Sequence, residues 1–360
     1  MAAGIAPVAV DAMGGDSAPG AIVQGAINAV RQGLDVVLVG REDRVREEIR
    51  ARGAVGLGIP VRHASEVVEM DDHPGRAMRG KRDNSIRVCF EMVRSGEASG
   101  MVSAGNSGAV MAGAIFVLGR LSGVERPAII SVLPAVKGRP ILIDMGANVE
   151  CRPVHLVQFA LMGEVYARRV TGVARPRIAV LANGEEESKG TELTRRVAAA
   201  LRRSGLRFDG YCEGRDLMTG EFDVIVTDGF TGNVALKTME GTARAVGRLL
   251  KRALTSTVPS KIGGLLAQNA IREMKRRVDW REVGGAPLVG VDGVAVISHG
   301  SSDALAVENA IRRAFDAASA RATAEMAEAA SRACGLLEAA ERDELELAPA
   351  PRRRRASVDG

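Results

Sequence analysis

Six short apolar runs in this chain each end in a turn built from glycine and small polar or acidic residues. The turns span residues 11–16, 104–108, 144–148, 182–185, 227–233 and 298–300. Glycine lets the backbone approach a ligand closely, and the carboxylate and amide side chains beside it accept or donate hydrogen bonds. One such turn is ordinary turn chemistry, but six together favour a binding site.

Two of these turns indicate anion binding. Gly105–Gly108 and Gly229–Gly232 each lead straight into a predicted helix, where free backbone N–H groups suit phosphate. Ser107 and Thr231 also fit as N-caps, and a cap and an anion compete for the same donors. The candidate phosphate or substrate ligands are Asp11, Gly14, Gly15, Asp16, Ser103, Gly105, Ser107, Gly108, Asp144, Asn148, Asp228, Thr231, Gly232 and Lys237.

The runs before and between these turns predict the elements that position them. Several are apolar throughout, which is typical of strands covered on both faces. The predicted strands are Val8–Val10, Val36–Val39, Met101–Ser103, Ala128–Leu133, Ile141–Ile143, Ile178–Leu181, Val224–Val226 and Val294–Ile297. Helical patterns lie between them, near 20–32, 41–52, 84–95, 107–119, 154–169, 191–204 and 233–254. The alternation predicts a Rossmann-like α/β/α sandwich with a mostly parallel sheet.

In such a sheet the carboxyl ends of the strands line the ligand crevice. We therefore expect the six turns to meet at one edge of the sheet. No internal repeat and no proline- or glycine-rich linker divides the body, which predicts a single catalytic domain over residues 1–335 with a helical excursion at about 245–281. Residues 336–360, which include the run Arg352–Arg355, are predicted to form a disordered tail.

The sequence lacks the signature motifs of several other kinds of site. No strand is followed by G-x-G-x-x-G, and no G-x-x-x-x-G-K-[ST] occurs, so we expect no nucleotide cofactor. There is no G-x-S-x-G nucleophile elbow and no metal-ligand spacing of His, Asp, Glu or Cys. Of the four histidines, only His299 ends a strand in a glycine-rich turn. It is either a proton donor or a packing residue.

Composition narrows the function classes further. Apolar residues make up 46% and charged residues 26% of the 360, the balance of a soluble protein. Aromatic residues are only 3%, so base-stacking platforms are not expected, and the net charge of +5 does not indicate a nucleic-acid partner. Without a signal peptide or a membrane-spanning apolar run, we expect a cytoplasmic protein that at most contacts a membrane surface.

The motifs resemble those of the bacterial phosphate acyltransferases, the acyl-ACP:phosphate transacylases of the PlsX family. Their order and spacing match from about residue 7 to about 318. The matching strings are Asp11-Ala-Met-Gly-Gly-Asp16, Ser103-Ala-Gly-Asn-Ser-Gly-Ala109, Asp144-Met-Gly-Ala-Asn148, Asp228-Gly-Phe-Thr-Gly-Asn-Val-Ala-Leu-Lys237, Gly284-Gly-Ala-Pro-Leu288 and Ile297-Ser-His-Gly-Ser-Ser302. Residues 183–190, with Lys189, depart from the family pattern.

The resemblance implies a fold akin to that of isocitrate and isopropylmalate dehydrogenases and phosphotransacetylases. It implies transfer of an acyl group from acyl carrier protein to inorganic phosphate for phosphatidic acid and phospholipid synthesis. It further implies a homodimer, no metal requirement, and delivery of acyl phosphate to a membrane glycerol-3-phosphate acyltransferase.

Such a reaction needs no nucleophilic side chain, because phosphate itself attacks. The site must hold a dianion beside a thioester and stabilise the oxyanion that forms. We expect Asn106, Ser107 and the Asn233 turn to hold phosphate, with Lys189 or Lys237 adding charge. The aspartates would order these donors, and His299 would supply a proton. The predicted catalytic residues are thus Asn106, Lys189, Asn233 and His299.

The segment Leu249–Arg281 is strongly basic, with eight cations against two anions. Apolar residues at helical spacing flank Pro259 and predict a helical hairpin. The hairpin either buries its apolar stripes in the core or a dimer interface, or it contacts anionic lipid or acidic acyl carrier protein. The residues expected to make the second kind of contact are Ile262, Leu265, Leu266, Lys275 and Arg276.

Two other functions remain open on the sequence. One is a related enzyme, either a short-chain phosphotransacylase that uses coenzyme A or a decarboxylating dehydrogenase of the same fold. The dehydrogenase would need clustered metal-binding aspartates and a nicotinamide site, and neither pattern is present. The other is a lipid- or carrier-binding module without catalysis, which phosphate-dependent loss of a thioester would exclude.

Overall fold

The structure is a computed structural model that describes residues 5–277 and 279–347, without the side chains of 275–277, 280 and 344–347. Eleven strands form one sheet within these residues. They are β1 (Val8–Asp11), β2 (Val36–Gly40), β3 (Val61–His63), β4 (Gly100–Ser103), β5 (Ala128–Val132), β6 (Ile141–Ile143), β7 (Ile178–Leu181), β8 (Phe208–Cys212), β9 (Val224–Val226), β10 (Ala286–Val289) and β11 (Ala295–Ile297). All eight predicted strands are confirmed, and β3, β8 and β10 are additional.

The helices alternate with the strands, as predicted. They are α1 (Gly20–Arg31), α2 (Glu42–Ala51), α3 (Pro74–Gly80), α4 (Ser85–Ser95), α5 (Ser107–Gly113), α6 (Pro153–Arg169), α7 (Glu192–Arg202), α8 (Gly229–Thr255), α9 (Val258–Leu266), α10 (Gln268–Arg277), α11 (Trp280–Val283), α12 (Ala304–Ala320), α13 (Thr323–Ser331) and α14 (Ala333–Leu347). A π-helical stretch, Ala114–Leu118, extends α5.

The strand order is β3-β2-β1-β4-β11-β10-β5-β6-β9-β7-β8. Most neighbouring pairs are parallel, so the prediction of a mostly parallel sheet is confirmed. Strand β10 runs antiparallel to both β11 and β5, and β5 runs antiparallel to β6. The half of the sheet that holds β1, β4 and β11 therefore points the opposite way from the half that holds β6, β7 and β9.

This reversal makes the expectation of a single shared edge wrong. The turns after β1, β4 and β11 lie at one edge of the sheet, whereas those after β6, β7 and β9 lie at the other. The antiparallel strands that cause the reversal are hard to recognise in the sequence, because β5 is as buried and nearly as apolar as the parallel strands. The predicted site must therefore assemble across a face of the sheet.

Helices cover both faces of the sheet, so strand side chains that alternate in direction enter separate clusters. Val8 and Val10 pack with α1, α2 and α12, whereas Ala9 packs on the opposite side with α3, α4 and α5. In the second half, Ile141 and Ile143 face α6, α7, α13 and α14, while Leu142 faces α8. This arrangement is the predicted α/β/α sandwich.

Helix α14 corrects the predicted boundary of the tail. Leu336, Leu337 and Ala340 pack against the core cluster that contains α6 and α7. Arg196 of α7 pairs with Glu341, and Arg203, which directly follows α7, pairs with Asp343. Residues 336–347 are thus helical, because an apolar stripe in this alanine-rich segment finds a surface to cover. Residues 348–360 lie outside the described part, and the division into domains stays a prediction.

Candidate active site

The turn after β1 is fastened to the turn after β4 by a buried hydrogen-bond chain. The Ser103 hydroxyl donates to Asp11 Oδ2 at 2.6 Å and accepts from the Gly105 N–H at 3.1 Å. Asp11 Oδ1 accepts from the Met13 N–H at 3.1 Å. Burial raises the pKa of the Asp11 carboxyl, although these hydrogen bonds oppose the shift. Asp11 therefore organises the two loops and has no exposed face for a substrate.

Glycine is required where these loops meet. A Cβ on Gly14 would lie 2.5 Å from Asp11 Oδ2 and 2.6 Å from the Gly105 nitrogen, which is too close for any side chain. Gly15 has φ +105°, and the following Asp16 N–H donates to the Gly300 carbonyl at 2.8 Å. The turns after β1, β4 and β11 thus form one compact unit at the first edge.

Asn106 is the N-cap of helix α5, and its side-chain amide is fully engaged in hydrogen bonds to the backbone. Its Oδ1 accepts from the Ala109 N–H at 3.0 Å, and its Nδ2 donates to the carbonyls of Met70 and Asp72 at 3.0 and 3.1 Å. An amide with both hydrogens used on backbone carbonyls does not bind an oxyanion. We therefore revise the predicted catalytic role of Asn106 to one of positioning the neighbouring Ser107, which is exposed.

Asp144 plays the same organising role in the second half of the sheet. Its buried carboxylate accepts from the N–H groups of Ile129 at 2.9 Å and Asn148 at 2.7 Å, and from Asn148 Nδ2 at 2.9 Å. Weaker bonds come from Gly146 and Ala147. Burial raises the pKa of this carboxyl above its ordinary value. The backbone of the turn 144–148 is thereby held in place by hydrogen bonds to the side chain of Asp144.

The start of α8 lies against that turn. Asp228 is its N-cap, accepting from the Thr231 N–H at 2.8 Å and the Thr231 hydroxyl at 2.7 Å. A Cβ on Gly232 would lie 2.0 Å from the Asp144 carbonyl oxygen, so only glycine permits this approach. The packing brings Asn233 beside Gly146, which has φ +133°.

A cavity of about 540 Å³ opens across the face of the sheet over β5 and collects groups from both halves. Its apolar lining suits an alkyl chain. The apolar members are Ile129, Val132, Pro134, Met145, Met218, Leu236, Met239, Ala243, Val283, Ala286 and Ile297. The polar members are Ser107, Ser131, Asn233, Ser298 and His299, with the backbone of Gly146 and Gly285. Ser107, Asn233 and His299 come from turns at opposite edges.

Charged side chains complete the lining. Lys237, Glu240 and Arg244 lie along α8, whereas Asp279 caps α11 and Arg281 lies in its first turn. Lys237 Nζ is 3.1 Å from a Glu240 carboxylate oxygen. The Asp279 carboxylate receives hydrogen bonds from the Arg281 guanidinium, which hold the pKa of that carboxyl below its usual range. With three cations against two anions, the lining favours an anionic ligand.

The ring of His299 is oriented by its own turn. Its Nδ1 accepts from the Ser301 N–H at 3.2 Å, so the neutral ring carries its proton on Nε2. The Ser302 hydroxyl lies 2.6 Å from the His299 carbonyl oxygen and bonds to it. His299 thus presents a defined N–H group in the cavity lining.

Not all predicted residues reach this cavity. Lys189 lies in the exposed turn after β7 and does not line it, so we do not retain it as a phosphate ligand. The side chains of Asp16 and Thr231 also lie outside the lining. The apolar wall, with Met145, Met218 and Met239, was missed because such residues look like ordinary core in a sequence.

The helical excursion keeps its apolar residues exposed in the single chain. Leu265 is 70% and Leu266 82% exposed, and Val258 and Ile262 are also exposed. These four residues define the α9 apolar face. The side chains of Lys275 and Arg276 lie outside the described part. No helix among the described residues is long and apolar enough to cross a membrane.

No group of three or more His, Cys, Asp or Glu side chains that could hold a metal occurs within residues 5–277 and 279–347. The four cysteines are unpaired, and burial raises the pKa of the Cys151 thiol to about 11. Cys151 lies near the site, with its sulfur 3.6 Å from the Asn148 carbonyl oxygen. A thiol in this state is a poor nucleophile.

Comparison with solved structures supports the fold. The chain is similar to a phosphotransacetylase from Streptococcus pyogenes, with a TM-score of 0.59 and 16% identity over 88% of this chain and 94% of that one. It is also similar to a branched-chain phosphotransacylase from Enterococcus faecalis, with a TM-score of 0.53 and 14% identity over 86% and 99% of the two chains. The expected α/β fold with a large, mostly parallel sheet is confirmed, and its assignment to the dehydrogenase-like group stays a prediction.

Sequence comparison identifies the family. A profile described as "Fatty acid synthesis protein" matches residues 6–325. The chain is 71% identical to a phosphate acyltransferase from Anaeromyxobacter sp. strain K, over 97% of each chain. It is 51% identical to a phosphate acyltransferase from Trichlorobacter lovleyi, over 92% of this chain and 96% of that one. The chain therefore belongs to the phosphate acyltransferases, the family of enzymes that its strand-end motifs indicated.

Proposed function

We propose that this enzyme transfers a fatty acyl group from acyl carrier protein to inorganic phosphate and releases acyl phosphate for phospholipid synthesis. The observation that carries the proposal is the cavity over β5. Its lining combines many apolar side chains with the polar groups of Ser107, Asn233 and His299 and with the cation Lys237. An acyl thioester and a small anion need this combination.

In the proposed reaction, a phosphate oxygen attacks the thioester carbonyl carbon. A C–O bond forms, the carbonyl oxygen becomes an oxyanion, and the C–S bond then breaks to release the carrier thiolate. A phosphopantetheine thiol has a pKa near roughly 8.5 and departs with little acid assistance. The enzyme therefore has to position two substrates and stabilise one oxyanion, which amide and hydroxyl donors do well.

Each of these polar residues has a proposed part. Asn233 and Ser107 donate hydrogen bonds to phosphate or to the oxyanion, and Lys237 supplies positive charge. His299 donates a hydrogen bond from its Nε2–H group to the oxyanion or to the departing sulfur. Asp11, Asp144 and Asp228 act through the loops that they organise, because their carboxylates are occupied by hydrogen bonds within those loops.

The assay that tests the proposal follows thioester loss from acyl carrier protein with and without orthophosphate. Hydroxylamine then traps acyl phosphate as the hydroxamate. We expect turnover only with phosphate, whereas equal thioester loss in both buffers would contradict the proposal. No turnover in either buffer would favour a carrier- or lipid-binding module. Faster reaction with acetyl-coenzyme A than with acyl carrier protein would favour a short-chain phosphotransacylase.

We also propose that the enzyme is a cytoplasmic homodimer that contacts anionic membrane through the α9 apolar face. Exposed apolar residues on α8, such as Phe230 and Leu249, support a partner surface. Beside the α9 apolar face, Lys251, Arg252 and Lys261 are exposed cations, a combination that binds anionic lipid. Contact with the membrane would place acyl phosphate close to a membrane glycerol-3-phosphate acyltransferase.

A further inference from the structure

Helix α8 presents two parallel stripes to the cavity. Asn233, Lys237, Glu240 and Arg244 form a polar stripe, and Leu236, Met239 and Ala243 form an apolar stripe. At 3.6 residues per turn, the two stripes are separated by about a quarter of the helix circumference. An acylated pantetheine also has two unlike arms, because an apolar chain and an amide-containing chain both leave the thioester. The helix face therefore matches both arms.

The positive charge of the polar stripe is concentrated at its far end. Glu240 lies within 3.2 Å of Lys237 Nζ through both carboxylate oxygens, but 3.7 Å from Arg244 Nη1. One carboxylate thus serves two cations and is closer to the lysine. Arg244 is exposed. The other lining arginine, Arg281, is engaged by both Asp279 and Asp303, so Arg244 is the least neutralised cation of the cavity lining.

The length of the stripe fits the donor. Arg244 follows Asn233 by eleven residues on α8, which corresponds to about 16 Å of helix rise. The pantetheine arm has thirteen bonds between its sulfur and its phosphorus, and at the extension of a polypeptide backbone they span roughly 15 Å. A thioester placed at Asn233 therefore brings the phosphate of the arm to the level of Arg244.

We infer that Arg244 binds the phosphodiester of the donor's phosphopantetheine arm, while the inorganic phosphate is bound separately at the Asn233 end. This assignment rests on the proposed function. A guanidinium donates two parallel hydrogen bonds to phosphate oxygens, which a lysine ammonium does not. Lys237 and Arg244 thus serve different phosphates, one that reacts and one that only anchors the donor.

The test compares two palmitoyl donors that differ only in this phosphate, acyl-4′-phosphopantetheine and acyl-pantetheine. Wild-type enzyme should prefer acyl-4′-phosphopantetheine, as measured by the ratio of the two kcat/KM values. In R244Q this preference should fall about tenfold, because that is the loss expected when a charged hydrogen bond is removed. The change should appear in KM for the donor and not in KM for orthophosphate. R248Q is the matched control, because Arg248 lies one turn further along α8 and does not line the cavity.

An unchanged donor ratio in R244Q, or a raised KM for orthophosphate, would overturn the assignment while leaving the proposed function intact. Wild-type enzyme that turned over neither donor, nor acyl carrier protein, in a phosphate-dependent way would overturn the proposed function and this assignment together. Carrier protein presents this pantetheine phosphate in a phosphodiester, whereas coenzyme A presents it in a pyrophosphate. Comparing their palmitoyl thioesters with the wild type shows which one is the source.

Discussion

The Asn233 side-chain nitrogen occupies the space in which a Cβ of Gly146 would stand, since that Cβ would lie 2.9 Å from it. No described residue forms a hydrogen bond with the side-chain amide of Asn233. Gly146 belongs to the turn after β6 and Asn233 to α8, so the absence of a side chain in one element makes room for a free donor from another. Substitution of Asn233 therefore tests the proposed oxyanion site most directly.

We expect Asn233→Ala to lower kcat by about 10²–10³, because a donor aimed at a developing oxyanion contributes that much. The KM for the acyl donor should change little. Steady-state kinetics with acyl carrier protein and orthophosphate measure both. A rate within about threefold of wild type would remove Asn233 from the mechanism.

Asn106 should respond differently, because it works through the backbone. Asn106→Asp keeps the acceptor for the Ala109 N–H and loses the donors to Met70 and Asp72. We expect lower thermal stability, by about 1–3 kcal/mol, together with a smaller kinetic defect than in Asn233→Ala. Differential scanning calorimetry and kinetics on the two purified variants compare them. A larger kinetic defect with unchanged stability would restore Asn106 as a substrate ligand.

Cys151→Ala should retain a kcat close to that of wild type. Burial raises the pKa of this thiol to about 11, so almost none of it is thiolate at pH 7, and phosphate attacks the thioester directly. Intact-protein mass spectrometry during turnover should find no acyl-enzyme. Loss of activity in Cys151→Ala, with an acyl adduct on the wild type, would instead indicate a covalent intermediate.

We expect the α9 apolar face to be required for membrane binding, which liposome flotation measures. We expect Leu265→Glu with Leu266→Glu to abolish flotation with liposomes rich in anionic lipid, because two charges replace two exposed leucines. Val55→Glu is the control, since Val55 is also an exposed apolar residue but lies between α2 and β3, far along the chain from α9. If the double variant floats as well as the control, α9 is not the contact.

The ion pair between α6 and α13 predicts a pH dependence of stability. The hydrogen bond from Arg168 to Glu325 holds the pKa of this carboxyl below its ordinary 4.5. A lowered pKa adds stability above the unfolded value, and that stability is lost as the pH falls through the folded value. Glu325→Gln should therefore lower the free energy of unfolding at pH 7 by less than about 1 kcal/mol, because this site is partly exposed. The difference from wild type should be smaller near pH 3 than at pH 7. An equal difference at both pH values would contradict this.

The sequence predicted the strands whose residues are uniformly apolar, and it missed the others for identifiable reasons. β3 has only one apolar residue, Val61, and forms an edge of the sheet, whereas β8 contains Asp209 and Gly210. β10 begins with Ala286 and Pro287 and runs antiparallel, so it lacks the pattern of a buried parallel strand.

The residues of the site were easier to predict than its assembly. Ser107, Asn233 and His299 were expected from their turns and Lys237 from the string 228–237, and all four line the cavity. Strand direction cannot be deduced from residue type, so the meeting of two opposite edges over β5 was not expected. Lys189 illustrates the limit, because a lysine in a glycine-rich turn after a strand has the right type but follows β7, outside the cavity.

The position of β10 and β11 has a consequence for how the enzyme is made. These two strands are encoded after all the others, yet they stand between β4 and β5 in the middle of the sheet. On the ribosome, the two halves have no bridge between them until residues 286–297 have emerged. His299, a proposed catalytic residue, follows at once and enters the nascent chain in the same step that joins the halves. Under the proposed mechanism, translation must pass residue 299 before the first substrate molecule can be converted.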